Sequence, residues 1–242
     1  MIQQLTILSN RKIAKGATEL VCRLPERQEI APGRFMHLKV GPLLRRPISI
    51  ADAGDDEITF LFKEVGKGTG ELSGLQPGMT LDALGPLGNG FPVDSVDEAD
   101  HVLLVGGGIG VPPLYYAMRK LVERGVRCSA VLGFDTGESV FYEDAFRALG
   151  PTTVTTVDGT AGTKGFVTAA IETEGVDVLF ACGPEAMLRS VQHLDIKERY
   201  ISIENRMGCG IGACFACVCA SPSGYVKTCT DGPVFRAEEV IL

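Results

Sequence analysis

Asp100-His101-Val-Leu-Leu-Val-Gly-Gly-Gly-Ile-Gly110 is the stretch on which the fold turns. Val102 to Val105 form an unbroken apolar run, the pattern of a parallel strand buried on both faces. The run ends in glycines, and a helix-like stretch follows from Pro112 to Gly125. A Gly-rich turn that opens a helix offers free N–H groups and a partial positive charge to a pyrophosphate. Gly106, Gly107, Gly108 and Gly110 are therefore candidate nucleotide-binding residues. Their spacing is not the G-x-G-x-x-G of dinucleotide sites, so a tight structural turn stays open as an alternative.

Downstream the texture repeats. Strands are expected at Cys128–Gly133, Thr152–Val157, Asp177–Cys182 and Tyr200–Glu204. Helices are expected near Tyr142–Leu149, Phe166–Glu174 and Glu185–Asp195. Strand and helix in alternation mean βαβ units and a parallel sheet. Cys182-Gly183-Pro184 closes the fourth strand, where open α/β sheets bind ligands, so these three join the candidates.

Upstream the pattern is β. Short alternating segments recur at Gln3–Leu8, Ala17–Leu24, Phe35–Val40, Ile48–Ala51, Ile58–Glu64 and Thr80–Ala83, with Gly- and Pro-rich breaks between them. This spacing predicts a small antiparallel barrel. Within it, Arg45-Arg46-Pro47-Ile48-Ser49 joins cations to a strand, and Gly66-Lys67-Gly68-Thr69 reads as a small loop. A guanidinium and a nearby hydroxyl suit a phosphate, although either segment alone is also what a solvated turn looks like.

At the other end, Cys209, Cys214, Cys217 and Cys229 are spaced C-x4-C-x2-C-x11-C, a plant-type [2Fe–2S] ligand pattern. Gly208, Gly210 and Gly212 interleave the first ligands and let the backbone wrap closely. Structural zinc is the competing use of four cysteines. Cys219 fits the spacing less well than Cys217 and is expected to be a packed residue beside the site, while Cys22 and Cys128 read as core filler. The three histidines, His37, His101 and His193, are scattered and are expected to be packed or solvated.

Composition sets limits. The 242 residues are 45% apolar and 22% charged, ordinary for a globular chain, and the net charge of −7 argues against nucleic acid. No apolar run approaches a bilayer span and no leader pattern opens the chain, so a cytoplasmic protein without a membrane anchor is expected. Eight cysteines in that compartment point to ligands rather than bridges. The expected organisation is α/β plus all-β: an N-terminal antiparallel β-barrel over residues 1–97, a parallel α/β nucleotide-binding module over 98–200 and a small [2Fe–2S] domain over 201–242.

Barrel, nucleotide module and cluster loop together resemble the ferredoxin-reductase superfamily with a ferredoxin-like tail. More narrowly, the chain is similar to the family of electron-transfer subunits of NAD-dependent dihydroorotate dehydrogenases. The matching motifs are Arg46-Pro47-Ile48-Ser49, Gly66-x-Gly68-Thr69, Gly85 to Phe91, the Gly106 run, Cys182-Gly183-Pro184 and the cluster loop with Asp231 to Phe235 behind it. The resemblance implies FAD in the barrel, touched by Arg46 to Ser49, with Leu61, Phe62 and Lys63 along the isoalloxazine and Gly68 and Thr69 at the pyrophosphate. It implies NAD(H) as co-substrate and Cys209, Cys214, Cys217 and Cys229 as cluster ligands. It further implies an FMN-containing catalytic subunit that oxidises dihydroorotate in pyrimidine synthesis, in a heterotetramer. Subunits of other complexes, such as ferredoxin:NADP oxidoreductases, sulfide dehydrogenases and hydrogenases, share the architecture and are the alternative. After the second strand of the α/β module, Asp135 and Glu138 stand where a 2′-phosphate would want a cation, which favours NADH over NADPH.

Overall fold

The computed structural model describes residues 1–42 and 44–242. Six antiparallel strands close the N-terminal barrel: β1 (Ile2–Ala14), β2 (Ala17–Arg23), β3 (Phe35–Val40), β4 (Leu44–Ala53), β5 (Glu57–Lys63) and β6 (Thr80–Leu87), in the order β1-β2-β5-β4-β3-β6. Alternation along β3 sets the two faces of its wall. Met36, Leu38 and Val40 join Ile48, Ile50, Phe60 and Phe62 in the barrel interior. Phe35 and His37 therefore point outward, where other parts of the chain cover them.

The central sheet is built from β7 (His101–Gly107), β8 (Arg127–Phe134), β9 (Thr152–Thr156), the short β10 (Thr163–Lys164), β11 (Val178–Cys182) and β12 (Glu198–Ser202). All six run parallel to their neighbours in the order β10-β9-β8-β7-β11-β12. Helix α1 (Lys67–Ser73) belongs to the barrel, whereas α2 (Val111–Glu123), α3 (Glu143–Arg147) and α4 (Glu185–Val191) pack on the sheet. Pro112 and Pro113 lie in the first turn of α2, where a missing N–H costs nothing. Val102, Leu104 and Phe180 bury against α2 on one face, and Leu103, Val105 and Leu179 bury with Leu188 and Val191 of α4 on the other. The chain leaves β7 toward β8 and returns on its other side as β11, which makes a topological switch point at the ends of β7 and β11.

The C-terminal segment forms a hairpin, β13 (Val218–Ser221) with β14 (Gly224–Lys227), and then returns as β15 (Val234–Arg236). β15 pairs antiparallel with β12, so this segment supplies the edge strand of the central sheet. Its return is clasped by the barrel. Asn89 accepts from Val234 N–H at 3.2 Å and donates to the Asp231 carbonyl at 2.8 Å, and its own N–H donates to the Gly232 carbonyl at 2.7 Å. Barrel and sheet are joined by α2. Arg119 donates to Asp52 Oδ1 from Nε (3.0 Å) and Nη2 (2.6 Å) and to the Ala53 carbonyl (2.8 Å), and Tyr116 donates to the Ile30 carbonyl at 2.8 Å.

Two local expectations are corrected. The helix expected at Phe166–Glu174 is only a 3-10 turn over Val167–Ala169. β-Branched Val167, Thr168 and Thr173 are poor helix formers, and burying Val167 against Gly133 fixes the turn instead. The loop expected at Gly66–Thr69 is the start of α1. Thr69 Oγ1 accepts from the N–H groups of Val65 (3.0 Å) and Gly66 (3.3 Å), which satisfies backbone donors at the helix entrance.

Candidate functional site

The two glycine motifs meet at the switch point. A cleft of about 390 Å³ is bounded by Gly107, the last residue of β7, with Gly108 and Gly110 behind it, and by Gly183 and Pro184 after β11. Lys63 of the barrel reaches in from the opposite side, its Nζ 3.5 Å from where a Cβ of Gly108 would stand. Asp135, Phe166 and Glu204 complete the rim. Gly106 lies beneath the cleft, not on its lining: a Cβ there would press on Val111 at 2.9 Å, so its smallness serves helix packing. Cys182 is half-buried and likewise absent from the lining, and desolvation pushes its thiol up to about 12 despite a hydrogen bond with Ser202. Glu138 does not reach the cleft. It pairs with Lys15 of the barrel at 2.9 Å, which leaves Asp135 as the one of the two acids that borders the cleft.

On the barrel, Arg45 is occupied by Asp82 at 2.6 Å, whereas half-buried Arg46 has no carboxylate partner among the described residues. Arg46 Nε lies 2.9 Å from where a Cβ of Gly68 would be, so the first turn of α1 and this guanidinium form one surface. Lys63 is also half-buried without an acidic partner among the described residues. Two unneutralised cations beside backbone N–H groups fit a phosphorylated flavin. Ile48 and Phe62 turn into the barrel core, so only their backbone can face such a ligand. Leu61 is buried toward the sheet, while Pro47 and Ser49 are half-buried on β4.

The cysteine loop is organised around sulfur. Cys209 Sγ accepts from the backbone N–H groups of Ala213 (3.2 Å), Cys214 (3.4 Å) and Ile211 (3.5 Å). Cys214 Sγ accepts from Cys209 N–H at 3.3 Å, and Cys229 Sγ from Gly212 N–H at 3.2 Å. Led by the Ile211 N–H, these donors hold the Cys209 thiol down to about 6. The buried Cys229 thiol moves the other way, up to about 11, through burial and then its hydrogen bond with Cys217. The cysteines thus fall into two pairs: Cys209 and Cys214 exchange backbone N–H contacts to each other's sulfur, and Cys217 and Cys229 are buried together against Phe35. Among the described residues no three Cys, His, Asp or Glu side chains converge on one metal ion. Paired sulfurs wrapped by N–H donors fit a two-iron cluster better than a single tetrahedral zinc. Cys219 is half-buried beside the site with its thiol 3.8 Å from Thr228 Oγ1, and Cys22 and Cys128 are buried.

Sequence reasoning missed three groups here. Lys227 donates to the Gly212 carbonyl at 2.9 Å and caps the Phe215 ring at 4.0 Å, bracing the loop. Asn89 clasps the tail, and only the Gly85–Phe91 and Asp231–Phe235 motifs hinted that two segments had to meet. His37, set aside as scattered, is fully buried against Gly210. Burial, and then the Arg45 charge, hold its pKa below the ordinary histidine value. Of the others, His101 lies 2.8 Å from Ser129 Oγ at the opposite end of the sheet, and His193 is solvated.

Comparison with known proteins agrees with this geometry. Residues 204–241 match the iron–sulfur cluster binding domain of dihydroorotate dehydrogenase B, and residues 104–193 match the oxidoreductase NAD-binding domain. The chain is 50% identical to the "dihydroorotate dehydrogenase B (NAD(+)), electron transfer subunit" of Geobacillus sp. (strain WCH70), over 99% of this chain and 98% of the relative. It is 52% identical to the subunit of the same name from Bacillus mycoides (strain KBAB4), with the same coverage. Among solved structures it is similar to an NADH-dependent reduced ferredoxin-NADP oxidoreductase described for flavin-based electron bifurcation, with a TM-score of 0.87, 32% identity, and 98% of this chain and 89% of that one covered. The cytochrome b5 reductase domain of Ulva prolifera nitrate reductase shares the fold at a TM-score of 0.66 and 17% identity, covering 81% of this chain and 92% of that one. With a nucleotide cleft, a cationic barrel rim and a four-sulfur loop in place, the chain belongs to the family of electron transfer subunits of NAD(+)-dependent dihydroorotate dehydrogenase B.

Proposed function

We propose that the chain carries electrons between a dihydroorotate-oxidising catalytic subunit and NAD+, in pyrimidine synthesis. When bound, FAD would supply two-electron chemistry toward a nicotinamide and one-electron chemistry toward a [2Fe–2S] cluster. Cys209, Cys214, Cys217 and Cys229 would hold the cluster, and the loop's N–H groups would set the charge on its sulfurs. Arg46 to Ser49, Leu61 to Lys63, Gly68 and Thr69 would hold FAD, with Arg46 neutralising its phosphates. Gly107, Gly108, Gly110, Gly183 and Pro184 would seat NAD(H), with Asp135 toward the adenosine ribose. No general base for dihydroorotate is required here, because that chemistry belongs to the partner.

One observation carries the reading. A single barrel wall serves both ends of the path: Gly210 of the cysteine loop packs on His37 of β3, and Gly108 of the nucleotide cleft faces Lys63 of β5. A flavin held at that wall would have a nucleotide on one side and a cluster on the other. We further propose that the partner carries FMN, that the complex is a heterotetramer and that it is cytoplasmic. Among the described residues no helix is long and apolar enough to cross a membrane.

The test is anaerobic co-purification with the neighbouring catalytic subunit, analysis of flavin, iron and acid-labile sulfide, and a dihydroorotate:NAD+ assay with and without this chain. NAD+ reduction that depends on the chain is expected. A loaded chain that leaves dihydroorotate oxidation unlinked to NAD+ overturns the assignment. Reduction of NADP+ by ferredoxin instead would favour the second reading, which the 32% identical oxidoreductase structure supports.

A further inference from the structure

His37 is fully buried, yet neither Nδ1 nor Nε2 has a hydrogen-bond partner. An unsatisfied buried imidazole is costly, and native interiors rarely keep one without a use. Its position narrows the use. His37 sits on the outer face of β3, across from Pro47 and Leu84. Next to it on that face, Phe35 packs with the cluster ligands Cys217 and Cys229. The Nε2 end of the ring points at Gly210: a Cβ there would lie 2.9 Å from Nε2 and 3.0 Å from Cε1. Gly210 follows Cys209 directly and has φ +72°, so the loop is bent to bring its backbone onto this ring. No carboxylate or hydroxyl is hydrogen-bonded to the ring, and the N–H donors already on the loop sulfurs all come from the backbone.

We propose that His37 donates a hydrogen bond to a sulfur of the cluster and so acts as a positioning residue that raises the cluster's reduction potential. Whatever its tautomer, the ring carries at least one N–H. Gly210 lies between Cys209 and Cys214, so the acceptors that loading would bring to this end of the ring are cluster sulfurs, and hydrogen bonds to such sulfurs are a main determinant of potential. The dimethylbenzene edge of a flavin offers no acceptor, so a flavin presented by that edge would not satisfy the ring. A side chain from the barrel thereby reports on, and tunes, a centre held by another part of the chain.

The inference rests on the cluster assignment and is tested on anaerobically loaded protein. Protein carrying heavy-nitrogen-labelled histidine is reduced with dithionite and examined by pulsed paramagnetic resonance for coupling between the cluster spin and imidazole nitrogen. Coupling is expected in the native protein and absent in His37→Phe. In a redox titration, His37→Phe should lower the ratio of reduced to oxidised cluster at fixed potential by about tenfold, the size of effect carried by a hydrogen bond to a charged group. His37→Gln, which keeps a donor, should recover most of it. Native protein with iron, sulfide and a normal cluster signal but no imidazole coupling overturns the proposal and leaves the cluster standing. Native protein with no cluster signal at all overturns both. The native measurement does not depend on whether His37→Phe folds.

Discussion

Gly110 is seated on the backbone of Cys182: a Cβ at Gly110 would run into the Cys182 carbonyl and the Gly183 nitrogen. The contact pins the turn after β7 to the end of β11 and so fixes the floor of the nucleotide cleft. Gly110→Ala must force these segments apart. Overpacking of this kind costs about 1–3 kcal/mol, and both thermal stability and NADH affinity should fall, with flavin content unchanged. Melting temperature and an NADH titration of flavin reduction check it. Unaltered NADH affinity would show that the cleft is not the nucleotide site.

Loss of one thiolate separates the modules. Cys214 is exposed at the tip of its loop, and its Sγ is paired with Cys209 rather than with the barrel. Cys214→Ser should remove most of the visible absorption and paramagnetic signal of the cluster while the flavin stays bound. NADH should still reduce the flavin, and transfer to one-electron acceptors that need the cluster should collapse. Simultaneous loss of flavin in the spectrum would count against separate seats for the two cofactors.

Asp135 and Glu138 answer different questions despite their proximity in sequence. Asp135 borders the cleft, and Asp135→Asn should narrow the preference for NADH over NADPH in stopped-flow flavin reduction by roughly tenfold, the loss of one charged hydrogen bond. Glu138 is tied to Lys15, whose hydrogen bond holds the carboxyl below its ordinary pKa. Their mutual stabilisation is present above that ordinary value and fades as pH falls through the lowered one. Glu138→Gln should therefore leave nucleotide preference unmoved and abolish this part of the acid sensitivity, an effect that salt also screens.

The helix that bridges barrel and sheet depends on Arg119. Its guanidinium is mostly buried and reaches both Asp52 and the Ala53 carbonyl. Arg119→Met should destabilise the folded chain by about 1–3 kcal/mol through the stranded Asp52 and carbonyl. Denaturant unfolding measures this, and the cluster spectrum should be unaffected, since Asp52 and Ala53 lie at the end of β4, past Pro47, which pairs with His37 beside the loop.

Much of the fold could be read from local pattern. Val102–Val105 announced a doubly buried strand because the sheet is covered on both faces. The barrel strands alternated because one face of each meets a shared interior. Phe166–Glu174 misled because an apolar residue at its start and glutamates beyond imitate an amphipathic turn, while the decisive contact, Val167 on Gly133, lies far away in sequence. The cysteine loop was legible as a cluster-binding segment because cluster chemistry imposes a local spacing, and residues 204–241 match such a domain. His37 was not, because its meaning comes from Gly210, brought opposite it by the return of the chain. The Asn89 clasp was hidden for the same reason.

The pairing of β12 with β15 makes the residues between them a tethered excursion, sewn into the sheet at both ends. A protein cut short after β12 would do more than forfeit its iron. It would bare a row of backbone donors and acceptors along a sheet margin, an invitation to self-association. For this architecture, discarding the metal-bearing tail is therefore a harder evolutionary step than disabling it by changing a ligand.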